Sequence, residues 1–123
     1  MTPTHERNWV VFAPEGDIDT TRAENLAAMV DLLCDGQCPN MVIDLTNVSF
    51  MDSSGLGWLT RTQEHLRSEH GELRIVLGDS PVNRLFDVTG LLPVFVVHES
   101  VEEACKQSDP TIGTSEYNSQ MVS

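Results

Sequence analysis

The sequence predicts a single α/β domain built on a largely parallel sheet. Four short apolar runs, Trp9-Val-Val-Phe-Ala, Met41-Val-Ile-Asp-Leu45, Leu73-Arg-Ile-Val-Leu77 and Val94-Phe-Val-Val97, recur along the chain. Segments of helical periodicity lie between and after them, giving the order β-α-β-α-β-α-β-α. Closely spaced strands with a helix between each pair call for parallel pairing through right-handed crossovers. The expectation is a mostly parallel sheet of four to five strands covered by about four helices. At 123 residues the chain is long enough for one hydrophobic core.

Each element has its own warrant. Pro14-Glu-Gly16 ends the first strand, and Asp17-Ile-Asp19 leads towards a helix. Thr21 and Glu24 have capping-box spacing for that helix. Ala23, Leu26, Ala27, Val30, Leu33 and Cys34 then form one apolar stripe, stopped by Asp35-Gly36 and Pro39-Asn40. The second strand is followed by a loop and then a helix from about Leu56 to Glu69, capped by Ser54 or a neighbour, with Leu59 and Leu66 inward and Gly71 at its end. Ser80-Pro81 has the form of a helix start, Val82, Leu85, Phe86 and Thr89 share a face, and Gly90 is a stop. Ser100 and Glu103 repeat the capping-box spacing for a last helix reaching about Lys106. The expected organisation is a flexible N-terminus over 1–8, a folded domain over 9–106 and a polar, mobile tail over 107–123.

Composition narrows the function. There are 19 Asp and Glu against 7 Lys and Arg, a net charge of −12. That balance disfavours nucleic acid and anionic membrane as direct partners, since both need basic side chains facing phosphates. No run approaches the ~20 apolar residues of a membrane helix, and Met1–Asn8 has neither the basic nor the apolar region of a secretory signal. Three cysteines make no disulfide framework. The expectation is a cytoplasmic protein without membrane insertion.

The segment that carries chemistry is Asn47-Val-Ser-Phe-Met-Asp-Ser-Ser-Gly-Leu-Gly57. A strand ends, and two serines follow an aspartate at the start of a helix. Amides at a helix start favour an anion. A serine there either caps the helix or carries a phosphate, which adds about −1.5 to −2 charge. Gly55 and Gly57 read as bare backbone that another protein can approach closely.

On these residues the chain resembles the STAS domain (sulfate transporter and anti-sigma factor antagonist), in particular the small stand-alone bacterial anti-sigma factor antagonists. The resemblance rests on Gly16-Asp-Ile-Asp19, Val42-Ile-Asp-Leu45, Phe50-Met-Asp-Ser-Ser-Gly-Leu-Gly57, Pro81-Val-Asn-Arg-Leu-Phe-Asp-Val-Thr-Gly-Leu91 and Ser100-Val-Glu-Glu-Ala104, and covers about residues 9 to 106. It implies partner switching. The unphosphorylated antagonist binds an anti-sigma factor that is also a serine kinase, which frees a sigma factor for transcription. The kinase phosphorylates the antagonist and switches it off, and a serine phosphatase restores it.

The resemblance carries the phosphoserine over to Ser54, the serine directly before the glycine, with Ser53 as the alternative. The implied partner-binding residues are Asp17, Asp19, Thr20, Thr21, Asp52, Ser53, Ser54, Gly55, Leu56 and Trp58. ATP and Mg²⁺ belong to the kinase, so this chain needs no cofactor and is not expected to be an enzyme. Family members usually carry an extra N-terminal strand. Here about eight residues precede Trp9, so that strand is missing or very short. Trp58 is bulkier than the aliphatic residue expected after the motif and stands as either an exposed interface anchor or a residue packed on the sheet.

Other chemistries find less support. The glycine that opens a Gly-x-Ser-x-Gly nucleophile elbow is absent before Ser54, and His65 and His70 fall on solvated faces. Cys34, Cys38 and Cys105 with a histidine could ligate zinc, but Cys34 and Cys105 occupy apolar helical positions. Arg61, Arg67, Arg74 and Arg84 read as surface ion-pair partners. The reading from a different class is a non-catalytic STAS subunit of a lipid- or anion-transport complex, with Ser54 only a cap.

Overall fold

A computed structural model describes residues 4–6, 9–33 and 40–106. The elements are β1 (Thr4–Glu6), β2 (Trp9–Phe12), β3 (Gly16–Ile18), α1 (Thr20–Leu33), β4 (Asn40–Asp44), β5 (Val48–Met51), α2 (Ser53–Ser68), β6 (Leu73–Val76), α3 (Asn83–Thr89), β7 (Val96–His98) and α4 (Val101–Lys106). The five-stranded sheet has the order β1-β2-β4-β6-β7. Strands β2, β4, β6 and β7 run parallel, and β1 pairs antiparallel with β2 at one edge. The four apolar runs are therefore the four parallel strands, with β2 and β6 buried throughout and β7 at the edge only partly covered.

Alternation along the strands sorts the core. Phe12, Met41, Ile43, Leu73 and Ile75 pack with Leu26, Leu59, Leu66 and Phe86 of α1, α2 and α3. Trp9, Val11, Val42 and Val76 point the other way and meet Ala104 and Cys105 of α4. The period of two puts neighbouring residues on opposite faces.

Several expectations are corrected. Residues Thr4–Glu6, placed in a flexible N-terminus, form the short edge strand. Its pairing is a backbone matter that a Thr-His-Glu run does not advertise. The loop after β4 holds β5, which pairs in parallel with β3 as a separate two-stranded ribbon. Both are three to four residues long and only half buried, too short for periodicity to register. Helix α1 is capped by Asp19 rather than Thr21: its Oδ1 accepts from Arg22 N at 2.9 Å. The reason is that β3 runs to Ile18, which leaves Asp19 as the half-helical residue.

At the third helix, Ser80 caps a turn instead. Its Oγ accepts from Val82 N at 3.1 Å and donates to Val48 O at 3.1 Å, so helical structure begins at Asn83. The fourth parallel strand starts at Val96 because Leu92–Val94 forms a 3₁₀ turn around Pro93. At α4 the Ser100 Oγ accepts from Glu103 N at 3.1 Å, as the capping spacing predicts.

Arg74 is not a surface residue. It is 4% exposed, and its guanidinium lies 4.4 Å from the Trp9 ring centroid. Its Nη1 donates to Ala104 O at 2.7 Å and its Nε to Glu72 Oε2 at 3.0 Å. A buried charge is tolerable when its donors are paired in this way. His65 and His70 are exposed, as expected, and Cys105 is buried. Cys34, Cys38 and the 107–123 tail lie outside the described residues.

Candidate functional site

Two strand-to-helix junctions lie side by side. Because β3 and β5 are parallel, with Asp17 opposite Phe50 and Ile18 opposite Met51, α1 and α2 start next to each other. Gly16 makes this possible at the strand's beginning. Its φ of +80° is open to glycine, and its N–H donates to Asn47 O at 3.0 Å. At the other end, Asp52 N donates to Ile18 O at 3.3 Å and ties the two junctions together.

Each helix start has its own aspartate. Asp19 caps α1, and Asp52 Oδ1 accepts from Ser54 N at 2.9 Å to cap α2. Thr20 is the first residue of α1, and Ser53 and Ser54 are the first two of α2. The hydroxyls of Thr20 and Ser54 are hydrogen-bonded at 2.9 Å. Arg22 turns back over the β3 loop, where its Nη1 donates to Glu15 O at 3.1 Å and to Asp17 O at 3.3 Å. The arginine is thus committed to carbonyls, while Asp17, Asp19 and Asp52 give the site a negative character.

Of the residues expected here, Asp17, Asp19, Thr20, Thr21 and Ser53 are exposed, and Asp52 and Ser54 are half-buried. These seven make one surface. The other three do not belong to it. Gly55 is buried, and a Cβ on it would meet the Met51 side chain and stand 3.3 Å from Ile18 Cγ2. It is a glycine so that α2 can close on the β3–β5 ribbon, not so that a partner can reach the backbone. Leu56 points into the core. Trp58 is 1% exposed and packs edge-on against Phe12, with centroids 6.4 Å apart, so it is the residue packed on the sheet rather than an interface anchor. Ser54 and Trp58 lie one turn apart on the same side of α2, but Ser54 stands half-buried at the open helix start while Trp58, one turn further in, is covered by Phe12.

An apolar groove of about 270 Å³ between β5 and α3 has no counterpart in the sequence expectations. Phe50, 53% exposed, and Val88, 78% exposed, stand on its walls with Met51, Pro81, Val82 and Leu85. A phenylalanine two residues before Asp52 was the available signal, but only the β5 register shows that it faces outward. Among the described residues, no group of three or more His, Cys, Asp or Glu side chains is placed to hold a metal ion. None of the helices among them is long and apolar enough to cross a membrane.

Residues 1–104 match the family model described as the STAS domain. The chain is 31% identical over 87 residues to an anti-sigma-B factor antagonist of Staphylococcus aureus, covering 71% of this chain and 81% of that protein. It superposes with a TM-score of 0.76 on the crystal structure of an anti-sigma factor antagonist from Mycobacterium paratuberculosis, at 28% identity and over 85% of this chain and 89% of that one. The Bacillus cell fate determinant SpoIIAA in its phosphorylated form is similar at a TM-score of 0.63 and 26% identity, over 86% of this chain and 96% of that one. With the parallel sheet, the paired strand-to-helix junctions and the Asp-Ser-Ser-Gly segment between them, the chain belongs to the STAS domain family.

Proposed function

We propose that this protein is an anti-sigma factor antagonist. Unphosphorylated, it binds an anti-sigma factor with serine kinase activity in the cytoplasm and so releases a sigma factor. Phosphorylation of Ser54 switches it off, and a serine phosphatase reverses the change. The chain itself performs no catalysis. The observation that carries this reading is the half-buried Ser54 hydroxyl held at 2.9 Å from Thr20 between two helix starts, beside an exposed Phe50.

The physics gives such a switch two states without refolding. In the free protein a phosphate on Ser54 is solvated and met by helix-start amides. In a complex the same phosphate is desolvated beside Asp52 and Asp19, and a buried charge without a partner costs several kcal/mol. Each ~1.4 kcal/mol is tenfold in affinity, so one phosphate abolishes a micromolar complex. The apolar groove along β5, the strand that leads into Asp52, supplies the non-polar contact area that such an interface needs.

The reading is tested by mapping phosphate on the protein from its own cells and by measuring the affinity of the Ser54→Ala and Ser54→Asp variants for the anti-sigma factor. Phosphate on Ser54, full affinity of the alanine variant and a loss of at least about tenfold in the aspartate variant support it. Equal affinity of the two variants would sink it. Phosphate on Ser53 moves the switch by one residue.

A further inference from the structure

We propose that the cleft between α1 and α2 binds a small zwitterion of the α-amino-acid class. Trp58, Arg61, Thr62 and His65 recur on one face of α2 at helical spacing, and Ala27, Val30 and Asp31 face them from α1. They line a half-open cleft of about 260 Å³, roughly the liquid volume of nine waters. In a tightly packed helix pair apolar side chains would fill this seam. Here the small Ala27 leaves space, and three of the four α2 positions are polar.

One buried polar group here lacks a partner, and two exposed charges go unpaired among the described residues. Trp58 forms part of the wall, and its indole N–H is buried without a hydrogen-bond partner. Thr62 is 4% exposed. Arg61 and Asp31 line the same cavity, yet neither enters an ion pair among the described residues, where the pairs are Arg74–Glu72 and His98–Glu103. Two opposite charges thus face one void without meeting across it.

A ligand carrying both charges bridges them. Its carboxylate takes Arg61 and the nearby donors, a charge-assisted arrangement. Its ammonium takes Asp31. Its side chain lies on Ala27, Val30 and the Trp58 ring, and the volume restricts that side chain to a small or medium one. Asp31 disfavours polyphosphates, and Arg61 disfavours simple cations. A bound zwitterion would clamp together the two helices whose first turns carry Thr20 and Ser54. The binding itself does not depend on the partner-switching reading.

The test is an NMR titration of the full chain, following both indole N–H resonances. The probes are L-alanine, L-valine and L-leucine, with acetate and methylammonium as single-charge controls. The expected result is a saturable shift of the Trp58 resonance with at least one amino acid, and none of Trp9, which lies across the sheet. Arg61→Gln and Asp31→Asn, both at exposed positions, should each weaken binding by about tenfold or more. No Trp58 shift with any of the three amino acids overturns the proposal. So does undiminished binding in both variants, or acetate binding as tightly as the amino acids.

Discussion

The Thr20 and Ser54 hydroxyls, 34 residues apart in sequence, are hydrogen-bonded at 2.9 Å across the starts of two helices. The serine is therefore not a free rotor. To accept a phosphoryl group its oxygen must leave Thr20, at a cost of about 1 kcal/mol for an exposed hydrogen bond. Thr20→Val keeps the side-chain shape and removes the hydroxyl. It should change stability by no more than about 1 kcal/mol in denaturant titration and raise the rate of Ser54 phosphorylation up to about fivefold. An unchanged rate would show that the Thr20 hydrogen bond does not hold Ser54 back from the phosphoryl group.

Asp52 is expected to matter first as a cap. Its carboxylate accepts from Ser54 N at 2.9 Å. Asp52→Ala should destabilise the fold by about 1 kcal/mol, whereas Asp52→Asn, which caps equally well, should lie close to the wild type. Chemical denaturation of the two variants makes the comparison. If asparagine restores stability but not partner binding, the charge of Asp52 belongs to the interface.

Gly55 and Trp58 should behave as core residues despite their place in the motif. Gly55→Ala pushes a methyl group against Met51 and Ile18, and overpacking of this kind costs about 1–3 kcal/mol, partly offset by the better helix propensity of alanine. Trp58→Ala should cost about 3–5 kcal/mol. Melting curves read both directly. A Trp58→Ala protein as stable as the wild type would contradict the packing against Phe12.

His98 makes stability depend on pH. Burial, and next the Arg74 guanidinium, hold its imidazole below the ordinary value of 6.5, against the opposing hydrogen bond and charge of Glu103 and the charge of Glu72. The unfolded chain therefore binds the proton more readily than the folded one. His98's contribution is fully present above pH ~6.5 and is lost as pH falls through the lowered folded value. Between about pH 8 and pH 5 the wild type should lose more stability than His98→Gln. The carboxylates common to both proteins cancel in the difference.

Much of this architecture was legible in the residues. The four apolar runs are the four parallel strands because strands covered by helices are mostly apolar; β2 and β6 are buried throughout, with Arg74 the one charged residue in them, whereas the edge strand β7 is only partly buried. Helical spacing alone places Leu59 and Leu66 inward, and both are buried; of the face shared by Val82, Leu85, Phe86 and Thr89, Val82 and Phe86 are buried, Leu85 is half-buried and Thr89 is exposed. The Asp-Ser-Ser-Gly segment announced a helix start because capping chemistry is local.

Tertiary structure decided what depends on distant chain segments meeting. The β3–β5 ribbon is too short to show a period, and only its parallel register puts Thr20 beside Ser54 and turns Phe50 to the surface. Arg74 looked like any surface arginine until Trp9, Glu72 and Ala104 closed around it. Trp58 and Gly55 stand in the same motif as Ser54 but are buried, against Phe12 and Met51. Local propensity and periodicity are written in neighbouring residues. Burial and hydrogen-bond partners across 30 residues or more are set by how the helices dock on the sheet.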